Sequence, residues 1–544
     1  MVAWLKKLNH QPVMMTILVS LLLTALFLLL NHTPLWHTDI WAHLRFGSWM
    51  SEHQRFPERE PFSPWSNDAP YMPFAWLSQV AMWKVYEAGA WVPYRWSWDD
   101  ASQPGGVDFL RVLNALLVAL RYLFLYWAFV RLSGSRLISL LGVVFSIVLC
   151  WNTLEVLRPQ VWGELCLCVV LFLGCRQPPS RLAVWLTPLI MVLWANLHGS
   201  FLNGLLILLG LWASRLFQAI RSAVQSQRVD AFHSTAFRRS LRMLLLSILA
   251  VGVFNPLWSF QWFHETLVFA SNPNVQDMDE WHRLQWNSPL GIMFMISLVV
   301  ILLTQWLATW RKVPGINMGH GLLLVCFGVQ VVFFQRMFPW WAIICPFVCV
   351  GPWTRILGCP PGDGYVSLKH RLMQWAAIAG CLWIGFAWSN LGKVLLHEDI
   401  TLLDQSLHPA TPRLVDRAHD RRVRPGVDTA LYAAVHQPGS SIFCSETLGD
   451  YLLFAKARPV VIYSHVQLFS PQHWRDCRVV KEGIETWEKY LNQWNCLVVC
   501  VEAELHPRLC AAVKASPNWR VLLDETHSSS KPNPKSRLFI AIRK

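Results

Sequence analysis

Residues 12–30 read PVMMTILVSLLLTALFLLL, a run without a single charge, and this run decides which solvent the chain folds in. A helix needs about 20 apolar residues to cross hydrocarbon, so the stretch reads as a membrane span. Lys6 and Lys7 precede it, as in a signal peptide, but the run is too long for an h-region and no small-residue cleavage site follows. It therefore reads as an uncleaved first span. Further apolar stretches lie near 109–130, 137–151, 160–175, 182–196, 200–218, 243–258, 289–309, 318–334, 340–354 and 373–390. The expectation is a polytopic α-helical membrane protein with about eleven transmembrane helices. Stretches near fifteen residues are short for a lone lipid-exposed helix, so those belong inside the bundle or tilt little.

Composition agrees. Hydrophobic residues make up 54% of the 544 and charged ones 15%, against about 25% charged in soluble domains. A net charge of +14 would fit nucleic acid only if the basic residues shared one solvated face. Here they punctuate apolar runs, so no nucleic-acid partner is expected and topology accounts for them. With a cytoplasmic amino terminus, every second connection is basic: Arg131 and Arg136; Arg176 and Arg181; Arg221, Arg228, Arg238, Arg239 and Arg242; Arg311 and Lys312; Arg355, Lys369 and Arg371. An odd number of spans then places the carboxyl terminus outside, beside the long 31–108 loop. The 32 tryptophans suit membrane interfaces. Cysteines within the apolar runs are ordinary packing. Five more (Cys444, Cys477, Cys496, Cys500, Cys510) fall in the tail, where a disulfide needs an oxidising compartment and the odd count leaves one free.

The chain thus divides into a transmembrane domain, 1–395, whose first outer loop is 31–108, and an extracytoplasmic α/β domain, 402–544. Within the loop, 39–51 and 75–86 read as interfacial helices, and the prolines at 57, 61, 64, 70 and 73 keep the stretch between them extended. In the tail, 441–445, 459–464, 496–502, 519–524 and 537–543 are β-rich, while 446–457 and 481–493 read as helical.

Asp39 follows the first span closely, and His43 lies one helical turn on, so both side chains can share a face. That position suits a lipid-linked substrate. The plainer reading is that Thr38 or Asp39 caps the helix. The predicted outer ends of other spans carry LRPQ (Arg158, Gln160), WANLHGS (Asn196, His198), Asn255–Pro256, DEWH (Glu280, Trp281) and FQRMFP (Arg336). Polar residues at such depth are costly and point into cavities. Taken singly, the arginines equally snorkel to headgroups and the amides glue helices. Their shared face with the Asp39 loop implies one site.

The stretch TDIWAHLRFGSWMSEHQRFPEREPFSPW (38–65), followed by YMPFAWLSQV (71–80), resembles the first outer loop of bacterial membrane glycosyltransferases of the GT-C superfamily. The likeness is to the branch that includes the RgtA/B/C/D-like proteins and is related to the dolichyl-phosphate-mannose and aminoarabinose transferases. RPQ, WANLHGS, the Asn-Pro turn, DEW and ETLGDYLLF (446–454) continue it in order over most of the chain. The resemblance implies a GT-C-like fold in a bacterial inner membrane and a polyprenyl-phosphate-linked sugar donor. It also implies a glycan, lipid or protein acceptor on the outer face, inversion at the sugar carbon, and a carboxylate base that falls on Asp39. His43, Glu60, Arg158, Gln160, Asn196, His198, Glu280, Trp281 and Arg336 are carried over as substrate-binding residues. Where relatives carry Asp, this chain has Glu60, and the tail segment that reads Asp-x-Arg elsewhere is here Tyr463-Ser464-His465. Some relatives use a divalent metal, but Asp39 with His43 is too thin a ligand set to specify one. The alternative function is a non-catalytic membrane protein that binds or exports a lipid-linked glycan. Transporters tend to show paired broken helices and repeat symmetry, and neither is legible here.

Overall fold

A computed structural model describes residues 11–33, 39–66, 70–90, 106–226, 232–358, 368–389, 392, 441–454, 459–524 and 538–544. Thr38, Cys359 and the 402–440 part of the expected tail domain lie outside the described residues. Each apolar stretch of the sequence is helical. In chain order, with the two loop helices included, they are α1 (Pro12–His32), α2 (Asp39–His53), α3 (Trp76–Ala90), α4 (Gly106–Ser133), α5 (Arg136–Cys150), α6 (Pro159–Gly174), α7 (Arg181–Leu197), α8 (Phe201–Ser226), α9 (Thr235–Val253), α10 (Gln261–Ala270), α11 (Pro289–Trp310), α12 (Met318–Phe333), α13 (Phe338–Leu357) and α14 (Leu368–Ala387). Among the described residues, 6 helices are long and apolar enough to cross a membrane, and α6, α7 and α12 are shorter apolar helices. Leu182, Trp185, Leu189, Leu302, Trp306 and Trp375 are all more than half exposed. Such a belt of large apolar side chains calls for lipid around it. The chain is a helical integral membrane protein.

Local chemistry sets the helix ends. Ser180, Ser288 and Asn317 accept the backbone N–H of Ala183, Gly291 and His320 at 3.0, 3.1 and 2.9 Å, capping α7, α11 and α12. At the basic end of the bundle, Arg131, Arg215 and Arg311 donate to the carbonyls of Phe172, Gly174 and Ile356 at 2.6, 2.8 and 2.7 Å. Cations there satisfy the last carbonyls of α6 and α13 and oppose the helix dipole. Helix α13 lies at the centre of the bundle, buried along nearly its whole length although Pro346 and Pro352 interrupt it. Of the short helices, α6 is interior as expected, whereas α7 and α12 turn an exposed apolar face outward. Their partners shorten the apolar surface that each must present. Between α4 and α6, Arg121 pairs with Glu164 inside the bundle. Tyr122 Oη accepts from Arg121 at 2.7 Å and Gln160 donates to Glu164 at 3.1 Å.

The tail carries a four-stranded sheet of order β1-β2-β4-β3, from Ser441–Cys444, Cys496–Glu502, Trp519–Asp524 and Leu538–Arg543. β1 and β2 run parallel, and the other pairings are antiparallel. Helices α15 (Glu446–Phe454), α16 (Pro471–Lys481), α17 (Trp487–Gln493) and α18 (Pro507–Ala515) flank it. Two expectations need correction. The 459–464 run is not a strand but a single bridge from Val460 to Ile442, because Ser464 turns away to meet Asp450. The helix expected over 481–493 is broken at Gly483, whose φ of +58° is a left-handed conformation that glycine adopts freely. The five tail cysteines are buried free thiols.

The tail shares its core with the first loop. Ala42, Phe46, Met50 and Tyr71 belong to the same apolar cluster as Ile442, Phe443, Val460, Tyr463, Val498 and Phe539. Phe46 stacks on Tyr71 at 4.8 Å and meets His465 at 5.0 Å. A second attachment joins the tail to the connection before α11. There Asn274 donates to the carbonyls of Val466 and Phe469 at 3.0 and 2.8 Å, Trp474 donates to Asp277 at 2.7 Å, and Arg478 pairs with Asp277.

Candidate active site

Asp39 opens α2, directly after the connection from α1. Its Oδ2 lies 3.0 Å from Arg158 Nη2. Arg158 is the N-cap of α6, with Pro159 at the first helical position fixing the chain direction there. The other arm of its guanidinium reaches Glu280 Oε2 at 2.8 Å, and the second oxygen of Glu280 takes Arg336. Four segments far apart in sequence thus meet in one alternating chain of charge, Asp39–Arg158–Glu280–Arg336. Glu280 sits on the 3-10 turn Asp279–Trp281 and Arg336 on the turn Gln335–Met337. Backbone bonds from Leu284 to Val332 and from Gln335 to His282, both 3.1 Å, zip the two connections together. The Arg336 guanidinium also lies over the Trp281 ring at 5.4 Å.

Burial would raise the Glu280 carboxyl, but Arg336 and Arg158 outweigh it and hold the group below the usual carboxylate range. Burial likewise opposes the charge of Arg158, and Asp39 with Glu280 more than restores it. For Arg336 burial wins over Glu280, and its pKa is lowered.

Histidines surround the cluster. Tyr71 Oη donates to Gln79 Oε1 at 2.8 Å, so the amide nitrogen of Gln79 is the donor toward His43 Nδ1 at 3.1 Å. The proton of neutral His43 is therefore on Nε2. Burial, together with His465, pushes the His43 pKa well below its ordinary value. His198 accepts at Nδ1 from Ser200 Oγ (2.7 Å) and from the Ser200 backbone N–H (3.1 Å), which again leaves Nε2 protonated. Burial and then Arg336 and Arg158 push it down to about 3. His465, from the tail, lies 5.0 Å ring to ring from His43, and burial pushes it down to about 4 against the pull of Asp39.

The structure therefore brings together Asp39, His43, Arg158, His198, Glu280, Trp281 and Arg336. The other three residues singled out in the sequence go elsewhere. Glu60 accepts from the N–H groups of Phe62 and Ser63 and from Tyr463 Oη at 2.8, 2.6 and 2.8 Å, tying the loop to the tail. Burial raises its carboxyl and these donors oppose the rise. Asn196 accepts from Trp76 Nε1 at 2.9 Å and donates to the carbonyls of Val192 and Phe254, which fixes α3 against α7. Gln160 turns into the bundle toward Glu164. Sequence reasoning missed two residues near Asp39, His465 and Asp450, both contributed by the tail. Among the described residues no three His, Cys, Asp or Glu side chains gather as a metal-ligand set.

No family model matches the chain, and no curated protein matches it either. Among solved structures the chain is similar to a cryo-EM structure of a mutant arabinofuranosyltransferase AftD from Mycobacteria, at 14% identity and a TM-score of 0.49. The match covers 97% of this chain and 41% of that one, so the chain spans about two-fifths of the length of the protein it resembles.

Proposed function

We propose that this chain is a membrane glycosyltransferase of the GT-C type. In this reading about eleven spans place the 31–108 loop and the tail on the outer face of a bacterial inner membrane. The enzyme moves a sugar there from a polyprenyl-phosphate donor to a glycan, lipid or protein acceptor. One observation carries the reading: two carboxylates and two guanidinium groups meet at one end of an apolar bundle, in the Asp39–Arg158–Glu280–Arg336 chain. Buried charged groups at the end of an apolar bundle are costly unless they serve a substrate. The ordered likeness of the sequence motifs supports it.

The chemistry follows from the charges. The acceptor oxygen or nitrogen forms its bond to the sugar carbon from the side opposite the phosphate. The carbon–oxygen bond to the phosphate breaks, prenyl phosphate leaves, and the acceptor proton goes to Asp39. Arg158 and Arg336 stabilise the charge that develops on the departing phosphate. Arg158 is shared between Asp39 and Glu280. A donor phosphate that takes the Arg158 N–H groups from Asp39 frees that carboxylate to accept a proton, so donor binding readies the base. Neutral His43, His198 and His465 offer uncharged ring groups to sugar hydroxyls without adding charge.

The test is transfer itself. The purified protein in lipid nanodiscs is offered labelled prenyl-phosphate sugars, with membrane extracts as acceptor. Label moving to a new product supports the enzyme, whereas saturable binding with no product on any donor favours the binding or export alternative.

A further inference from the structure

Asp450 is a carboxyl group that the transfer mechanism leaves unused. It lies on α15 and is fully buried. Its Oδ1 accepts the Ser464 N–H at 3.0 Å, while Oδ2 has no hydrogen-bond partner. A buried polar atom left unsatisfied is destabilising unless something pairs with it. The position of the helix says what that atom is for. Helix α15 packs on α2, with Trp41 meeting Tyr451 at 5.4 Å and Phe454 at 4.9 Å, and Trp41 is two residues from Asp39. Gly449 fixes the depth of Asp450, since a Cβ at that position would sit 2.2 Å from the Ile462 carbonyl oxygen. Asp39 exerts the largest charge effect on Asp450, and the charge of Asp450 reaches Arg158 in turn.

We propose that Asp450 is a substrate-binding residue of the transfer site, supplied by the tail, whose Oδ2 hydrogen-bonds to the sugar–phosphate donor beside Asp39. This deepens the glycosyltransferase reading and rests on it. The groups facing Asp450 are Asp39 from α2, Arg158 before α6, Glu446 on its own helix, Cys444 at the end of β1, and Tyr463 and Ser464 from the segment beside β1. Burial first, and then Asp39, lift its carboxyl well above the usual range against the pull of the Ser464 N–H and hydroxyl. These influences favour the neutral form of Asp450, which can donate as well as accept. A second carboxylate in that place would repel the phosphate. Donor affinity should fall as rising pH ionises it.

The experiment measures donor KM against pH for the wild type, Asp450→Asn and Asp450→Leu in nanodiscs, with thermal unfolding recorded on each preparation. Asn copies the neutral acid. It should keep a donor KM within a few-fold of wild type at neutral pH and lose the alkaline rise in KM that the wild type shows. Leu should raise donor KM on the order of 10-fold or more, with kcat less affected. If Asp450 only braces Ser464, the alkaline rise persists in the Asn variant, and that result overturns the assignment. A Leu variant with wild-type donor KM overturns it too. If the Leu variant does not fold, the pH profile of the Asn variant alone decides. A wild type that transfers no sugar overturns the glycosyltransferase reading and this role together, whereas active wild type with an unaltered Asn profile overturns Asp450 alone.

Discussion

His43, His198 and His465 bring three imidazoles to the Asp39 cluster, and all three are held neutral by burial. In the unfolded chain a histidine titrates near pH 6.5. Folded values are depressed, to about 3 for His198 and about 4 for His465, so the unfolded chain takes up protons first as the pH drops. The stability that these neutral rings confer is complete above about pH 6.5 and is lost as pH falls toward the folded values. The melting temperature of the solubilised protein should therefore decline from about pH 6.5 to pH 4, and His465→Gln should flatten part of that decline. An unchanged slope would mean that His465 is not buried neutral. At this scale the sequence was readable where polar residues stand at span ends, as with Asp39, Arg158, Glu280 and Arg336. It was not readable for Glu60, Asn196 and Gln160, because an acid or amide at a boundary looks the same whether it faces a cavity or a neighbouring backbone. His465 stayed hidden because its approach to His43 depends on the tail folding back onto α2.

Helices α4 and α6 carry a buried ion pair that the sequence left undeciphered, Arg121 with Glu164. Removing one partner of such a pair strands a charge and costs about 3–5 kcal/mol, whereas replacing both with apolar residues of similar size is often neutral. Glu164→Leu should therefore lower the unfolding midpoint sharply, and adding Arg121→Met should recover most of the loss. A double variant as unstable as the two single losses combined would contradict the pairing. Apolar runs announced the long helices of the bundle because their length and hydropathy are set by the lipid. The tail elements were harder to read. A parallel pair such as β1–β2 and a bridge such as Ile442–Val460 depend on partners distant in sequence, and the short helices α16 and α18 lack a long periodic pattern to mark them.

For the whole molecule, the tail and the first loop form one core, so both lie on the same side of the membrane. The alternation of basic connections predicts that this side is the outer one. Reporter fusions after Arg239 and after Lys544 should give cytoplasmic and extracytoplasmic signals respectively, and a cytoplasmic signal from the second would reverse the orientation. Asp39→Asn keeps the size of the side chain and most of its hydrogen bonding but removes the proton acceptor. If Asp39 merely caps α2, Asn caps nearly as well. The measurement is sugar transfer from a prenyl-phosphate donor by wild type and Asp39→Asn protein in the same reconstituted membranes, with thermal unfolding of both. The Asn variant should lose on the order of 100-fold or more in rate with the unfolding midpoint essentially kept, and near-normal turnover would remove Asp39 from the mechanism.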